Sequence, residues 1–217
     1  MPTPESLGLP VYRPWFYGVV RNVCSVWLYG LHRLSATGQE LVPETGPVVL
    51  APTHRSLLDI PAVGVPLRKR GFHAMAKAET FEVPVLGTVI LRGGGFPVRR
   101  DEQDMEAYAQ ALRVLNSGGM LLIFPEGTRN RDGKARPQLG AARLALETGA
   151  ALVPAAISGT GETSFWPPHL PKVRVAYGAP LPIDDLRGTD DLRRASYTAT
   201  KRWSEASSAL LAGLEKR

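Results

Sequence analysis

Beyond residue 46 the chain alternates between two hydrophobic rhythms. Short, continuous apolar runs stand at 47–52 (PVVLAP), 72–77 (FHAMAK), 120–125 (MLLIFP), 151–158 (ALVPAAIS) and 173–178 (VRVAYG). Between them, at 59–69, 80–91, 102–117 and 137–148, apolar residues recur at helical spacing. The short runs predict strands and the 3.6-residue rhythm predicts helices. Strands separated by helices predict an α/β fold with a central, largely parallel sheet flanked by helices, whose ligands gather beyond the carboxyl ends of the strands. A last helical pattern at 189–213, polar and charged on one side, predicts a surface helix.

The start of the chain follows a different pattern. MPTPESLGLP is polar and proline-rich and lacks the basic-then-apolar order of an export signal, so it reads as a flexible lead. Wound at about 100° per residue, residues 15–34 place Trp15, Phe16, Val19, Val20, Val23, Val26, Trp27 and Leu31 on one broad side, with Gly18, Arg21, Asn22, Ser25 and His32 opposite. The longest charge-free run, between Arg21 and His32, is ten residues, about half of the roughly 20 needed to cross a bilayer. The expectation is an amphipathic helix that packs on the core or lies in a membrane surface; its two tryptophans and neighbouring arginines favour the surface. The chain then divides into a lead and interfacial helix, 1–36, and an α/β domain, 37–217.

Composition narrows the chemistry. A chain of 217 residues, 44% apolar, suits one such domain. The single cysteine, Cys24, excludes an intrachain disulfide framework and suggests a reducing, cytosolic setting, and no Cys/His cluster has metal-ligand spacing. The net charge is +6, and residues 68–100 hold seven Lys/Arg against Glu79 and Glu82, which is most of the excess. Such a concentration implies an anionic partner: phosphate groups, nucleic acid or an acidic membrane. Nucleic acid fits least well, because Phe72, Phe81 and Phe96 make no recognisable stacking platform and no helix-turn-helix pattern is present.

HRSLLD, residues 54–59, closes the first predicted strand. On one regular helix, five residues turn through about 500°, leaving His54 and Asp59 roughly 140° apart. Pro61 belongs in a first helical turn, which moves the helix start to about Leu58 and leaves His54 in the loop before it. The histidine can then fold back onto a first-turn carboxylate. A carboxylate on one ring nitrogen fixes the tautomer and frees the other nitrogen to take a proton from a hydroxyl. Ser56 to Asp59 also matches a capping box, in which Asp59 only ties off a helix start. A second stretch, FPEGTR at 124–129, follows the apolar strand MLLI and opens into the turn signal NRDG. It places Glu126 and Arg129 at a strand end, with Gly127 permitting close approach of a ligand. Arg129 has the planar fork that suits phosphate and Glu126 can accept from a hydroxyl, unless the two merely brace the turn as an ion pair.

Taken together, THRSLLD and FPEGTR resemble the first and third signature blocks of the glycerolipid acyltransferases, the family that includes 1-acylglycerol-3-phosphate and glycerol-3-phosphate acyltransferases. GGFPVRR (94–100) resembles the second block, with its arginine at Arg100, and LVPAAISG (152–159) the fourth. The blocks keep the family order over about half of the chain. Two positions depart from the pattern: Thr53 stands where asparagine is usual, and Pro97 where phenylalanine is usual.

The resemblance implies a glycerol-3-phosphate acyltransferase-like fold and a membrane-surface enzyme. The enzyme would move a fatty acyl group from acyl-CoA or acyl carrier protein to the free hydroxyl of 1-acyl-sn-glycerol 3-phosphate, giving phosphatidate. Glycerol 3-phosphate or another lysophospholipid is the alternative acceptor. On this reading His54, oriented by Asp59, is the general base and no covalent acyl-enzyme forms. Arg100 and Arg129 bind phosphate, Glu126 binds the glycerol portion, and Gly127 and Thr128 belong to the same substrate-binding set. Lys77 is a third phosphate ligand or an ordinary surface lysine. No metal and no cofactor beyond the donor are expected, and the implied location is the cytoplasmic face of the cell membrane, peripheral or monotopic. A catalytically silent binder of anionic lipid would use the same arginines; retention of both His54 and Asp59 speaks against it.

Overall fold

The structure, a computed structural model, describes residues 14–99, 104–130, 135–165 and 168–216. The proline-rich lead and Arg100 lie outside these residues. In chain order the elements are α1 (Pro14–Gly30), β1 (Ser35–Thr37), β2 (Val48–Pro52), α2 (Asp59–Gly64), β3 (His73–Lys77), α3 (Leu86–Arg92) and β4 (Phe96–Val98). There follow α4 (Met105–Asn116), β5 (Met120–Leu122), α5 (Gly140–Thr148), β6 (Ala151–Ser158), β7 (Ser164–Phe165), β8 (Pro168–His169), β9 (Arg174–Tyr177) and α6 (Leu192–Glu215).

Seven strands form one sheet in the order β1-β9-β6-β2-β5-β3-β4, and β7 pairs with β8 as a small separate hairpin. The five strands from β6 to β4 run parallel; β9 runs antiparallel to β6 and carries β1 beside it. This is the largely parallel α/β sheet expected from the alternation of rhythms. The central strand β2 is buried at all five positions. Its successive side chains point to opposite faces: Val48 and Leu50 join the core beneath α1 and α2, while Val49 and Ala51 join the core beneath α4, α5 and α6.

Local chemistry sets the helix ends. Asp104 caps α4 by accepting from the Ala107 N–H, and Asp191 caps α6 by accepting from the Arg194 N–H, each at 2.9 Å. Gly149 takes φ 71° at the end of α5, where a Cβ would be strained. Three predicted boundaries shift for identifiable reasons. The helix expected over 59–69 ends at Gly64: Val65 keeps helical backbone and donates to the Pro61 carbonyl, but Pro66 has no N–H with which to continue the ladder. The pattern at 80–91 splits at Pro84 into a 3₁₀ turn over Ala78–Glu82 and α3, with Val85 at φ 66° between them. The helix expected from 137 begins at Gly140, after a segment tied across to the FPEGTR turn by the Gln138 N–H on the Pro125 carbonyl. Strands β1 and β4 carry too few residues for a rhythm to register. β4 lies at the sheet edge, where Pro97 is tolerated.

Helix α1 has two apolar sides rather than one. Leu28 is fully buried, and Tyr17, Cys24 and Trp27 pack against the core from the inner side. Trp15, Val19, Val23 and Val26 form an outer stripe, each more than half exposed. Buried His32 continues the inner side, with Nδ1 at 3.2 Å from the Pro171 carbonyl. Among the described residues no helix is long and apolar enough to cross a membrane.

This two-sided packing predicts a contrast in urea unfolding. Leu28→Ala costs about 2–5 kcal/mol through lost burial and cavity. Val26→Ala, on the outer stripe, stays within about 0.5 kcal/mol of the parent.

Candidate active site

The sheet order makes neighbours of segments far apart in the chain. At the carboxyl edge of the parallel strands, HRSLLD leaves β2 between the loop after β6 and the FPEGTR turn after β5; beside these stand the ends of β3 and β4. The four sequence blocks therefore converge on one rim, where open parallel sheets hold their ligands.

His54 sits in the short loop between β2 and α2, and Asp59 is the first residue of α2. Asp59 is fully buried and His54 nearly so. The ring Nδ1 lies 2.9 Å from Asp59 Oδ2, and the same oxygen accepts the backbone N–H groups of Arg55 at 2.6 Å and Ser56 at 2.7 Å. Three donors on one oxygen offset the desolvation that otherwise disfavours a buried carboxylate. The capping role and the histidine role are thus not alternatives, because one oxygen performs both. A carboxylate can only accept, so Nδ1 carries the ring proton and Nε2 presents its lone pair. The Phe124 ring stacks on the imidazole, with centroids 3.9 Å apart and planes 19° apart, so the ring is held by both an edge contact and a face contact.

The FPEGTR turn grips the same loop through its backbone. Glu126 Oε2 accepts the His54 N–H at 2.6 Å, and Glu126 Oε1 accepts from the Asn130 side-chain amide at 2.9 Å. Asn130 returns its own backbone N–H to the His54 carbonyl at 2.7 Å and accepts from the Ala135 N–H. Both peptide groups of His54 are therefore held by the neighbouring block. Burial pushes the Glu126 carboxyl above its ordinary value, against the bonds from Asn130 and His54 that favour its charged form. Gly127 takes φ 65°, and a Cβ there would stand 2.6 Å from the Gln138 amide, so close approach is already used within the protein.

The remaining expected residues are distributed along the rim. Thr128 and Arg129 are exposed on the turn, and no Glu126–Arg129 ion pair forms among the described residues. Lys77, at the end of β3, stands opposite Val98 of β4 and pairs with Glu79 at 2.9 Å. No cluster of metal-ligating groups occurs among the described residues. Beside the histidine turn opens an apolar cavity of about 440 Å³, within the usual range of ligand pockets. Ser56, Leu57 and Leu58 form its near wall, α1 contributes Tyr17 and Trp27, and α3 contributes Val89 and Ile90.

Sequence reasoning passed over three contributors. Thr53, noted only as a departure, accepts the Ile157 N–H on its hydroxyl at 3.2 Å and donates its own N–H to Ala155, tying the end of β2 to β6. Asn130 reads in the sequence as a turn former, and its place four residues after Glu126 is the available signal. Phe124 reads as part of a strand. Its position beside the imidazole depends on β2 and β5 being sheet neighbours.

A protein-family model described as Acyltransferase matches residues 33–158. The 1-acyl-sn-glycerol-3-phosphate acyltransferase LPAT1, chloroplastic, of Arabidopsis thaliana is 29% identical over 70% of this chain and 44% of its own length. The 1-acyl-sn-glycerol-3-phosphate acyltransferase of Bacillus subtilis (strain 168) is 30% identical over 66% of this chain and 71% of its own. That of Borreliella burgdorferi is 31% identical over 63% and 55%. The chain thus spans about half the length of the Arabidopsis and Borreliella relatives. The crystal structure of the 1-acyl-sn-glycerophosphate (LPA) acyltransferase PlsC from Thermotoga maritima superposes with TM-score 0.63 at 22% identity, covering 95% of this chain and 83% of that one, and so shares the fold.

Buried Glu126 sets a pH dependence. Its raised pKa means that above the ordinary value of 4.5 the folded protein retains a proton that the unfolded chain has released. Its contribution to stability is therefore present at low pH and lost as pH rises through the raised value. In urea titrations from pH 4 to 8, Glu126→Gln gains stability relative to the parent as pH increases.

Proposed function

We propose that this chain, which belongs to the Acyltransferase family, transfers a fatty acyl group from a thioester to the free hydroxyl of 1-acyl-sn-glycerol 3-phosphate. The observation that carries the reading is the buried His54–Asp59 pair, closed by a turn whose Ser56, Leu57 and Leu58 line the apolar cavity. One group prepares a hydroxyl for attack, and the adjoining space suits an alkyl chain. The names of the relatives from Arabidopsis thaliana and Bacillus subtilis support the same acceptor.

In this mechanism Asp59 holds the Nδ1 proton of His54, and Nε2 accepts the proton of the acceptor hydroxyl as its oxygen attacks the thioester carbonyl. The carbon–oxygen bond forms, the carbon–sulfur bond breaks, and the proton taken by His54 passes to the departing thiolate. Imidazolium forms only transiently beside a carboxylate that already has three donors, so its charge is met without rearrangement. Arg129 and Lys77, with Arg100, bind the acceptor phosphate on the polar rim. Glu126 acts first by fixing the His54 peptide, and its remaining lone pairs are open to the glycerol hydroxyls. The acyl chain occupies the cavity between α1, α2 and α3.

The outer stripe of α1 suits the same chemistry, because acceptor and product are bilayer lipids. Trp15, Val19, Val23 and Val26 lie in the membrane surface at the cytoplasmic face. Arg92 already lies over the Phe16 ring at 5.8 Å, bringing positive charge to the rim of the apolar stripe.

Thiol release from palmitoyl-CoA and oleoyl-CoA, measured across lysophosphatidate, glycerol 3-phosphate and lysophosphatidylcholine, tests the reading. We expect lysophosphatidate to be preferred and His54→Ala to reduce kcat by about 10²–10⁴ with an unchanged circular dichroism spectrum. A folded His54→Ala protein with parental turnover at saturating acceptor refutes the general-base role. Placing Asp at Val19, Val23 and Val26 is expected to abolish sedimentation with phosphatidylglycerol vesicles while the melting temperature holds; retained sedimentation removes α1 from the interface.

A further inference from the structure

The part of the chain that follows the family match holds the histidine turn from both faces of the sheet. On the face of α1 and α2, Tyr177 at the end of β9 is buried, and its hydroxyl donates to the Val63 carbonyl at 2.5 Å. On the opposite face Trp203 of α6 is buried, and its indole N–H donates to the Ala51 carbonyl at 2.7 Å. Ala51 lies three residues before His54 and Val63 four residues after Asp59. The two bonds therefore fix the chain just outside the catalytic turn, one at each end.

Neither anchor is needed for the element it contacts to form hydrogen bonds of its own, but each removes a freedom that those bonds leave. Helix α2 has six residues, too few to persist without tertiary support. Val63 belongs to its last turn, where carbonyls lack intrahelical partners. The Tyr177 hydroxyl supplies one and sets the height of α2 above the sheet, and Asp59 moves with α2. Ala51 sits where β2 ends, opposite Pro154 of β6. The Trp203 indole fixes the peptide from which the loop to His54 departs.

We propose that Tyr177 and Trp203 are positioning residues for the His54–Asp59 pair, which rests on the general-base reading given above. They act through the backbone: Trp203 sets where His54 leaves the sheet and Tyr177 sets where Asp59 meets it. A displacement of about 1 Å at a reacting group can cost 10²-fold in rate, so loss of either bond is expressed in kcat while the substrate contacts on the rim stay in place.

The test uses the full chain carrying Tyr177→Phe or Trp203→Phe, with Arg202→Ala as control. Arg202 also anchors α6, through Asp185 and the Pro182 carbonyl, but touches neither end of the turn. We expect each Phe variant to lower kcat by about tenfold with both KM values within about twofold. The downfield NMR resonance of the His54 Nδ1 proton, read without substrate, should shift or broaden in both. Arg202→Ala should leave kcat and that resonance at parental values, and in a His54→Ala background neither Phe change should lower the residual rate further. Parental kcat and an unmoved resonance in folded Tyr177→Phe and Trp203→Phe overturn the proposal, as do equal effects from Arg202→Ala. Tyr177→Phe deletes one oxygen and keeps the ring, so it carries the test if Trp203→Phe does not fold. Parental turnover in folded His54→Ala refutes the general-base reading instead, and the resonance still decides the positioning.

Discussion

The site depends on one buried oxygen. Asp59 Oδ2 receives the imidazole of His54 and two successive backbone N–H groups, so the turn closes on the same atom that orients the ring. The three bonds reinforce one another, because each holds the carboxylate in the position the others need. Removing the carboxylate would leave two peptide donors and a ring donor without their acceptor in a buried place, so the geometry of the turn and the chemistry of the histidine would be lost together. Spacing follows from this. Asp59 must be far enough from His54 for a turn to intervene, and near enough to the helix start to collect the turn's N–H groups.

That turn gains its rigidity from neighbours that the sheet order provides. Glu126 and Asn130 hold the His54 peptide on both sides, Phe124 covers the ring, and Thr53 fastens the preceding residue to β6. Glu126 is placed where burial makes its charge costly, and its carboxylate is retained there by the two bonds it accepts. Arranged in this way, it preorganises the loop that carries His54.

Helix α1 links the site to its surroundings by being apolar on two sides. The inner side belongs to the core and walls the cavity next to the turn, while the outer stripe stays exposed. A helix of ordinary amphipathic design would commit its apolar face to one partner. Here the core occupies one face and the other is left available, which is the arrangement expected when a bilayer supplies the second apolar surface. The lipid acceptor proposed for this chain could then pass from that surface to the cavity with little exposure to water.

Local constraints were legible in the amino-acid order. The periodicity located β2, β6 and the major helices, and Pro61 placed the start of α2 because a proline's missing donor and fixed φ act within one turn. The pattern at 54–59 disclosed that a histidine could meet a carboxylate, since the whole pair lies within one loop. Three features were decided elsewhere: the division of α1 between core and surface, the use of Glu126 on a backbone group, and the ties from Tyr177 and Trp203. These contacts join residues 72, 114 and 152 positions apart. They exist only once the strands take the order β9-β6-β2-β5. Periodicity records which side of an element is apolar, but which neighbour that side meets is set by packing across the sheet, and no local sequence signal carries that information.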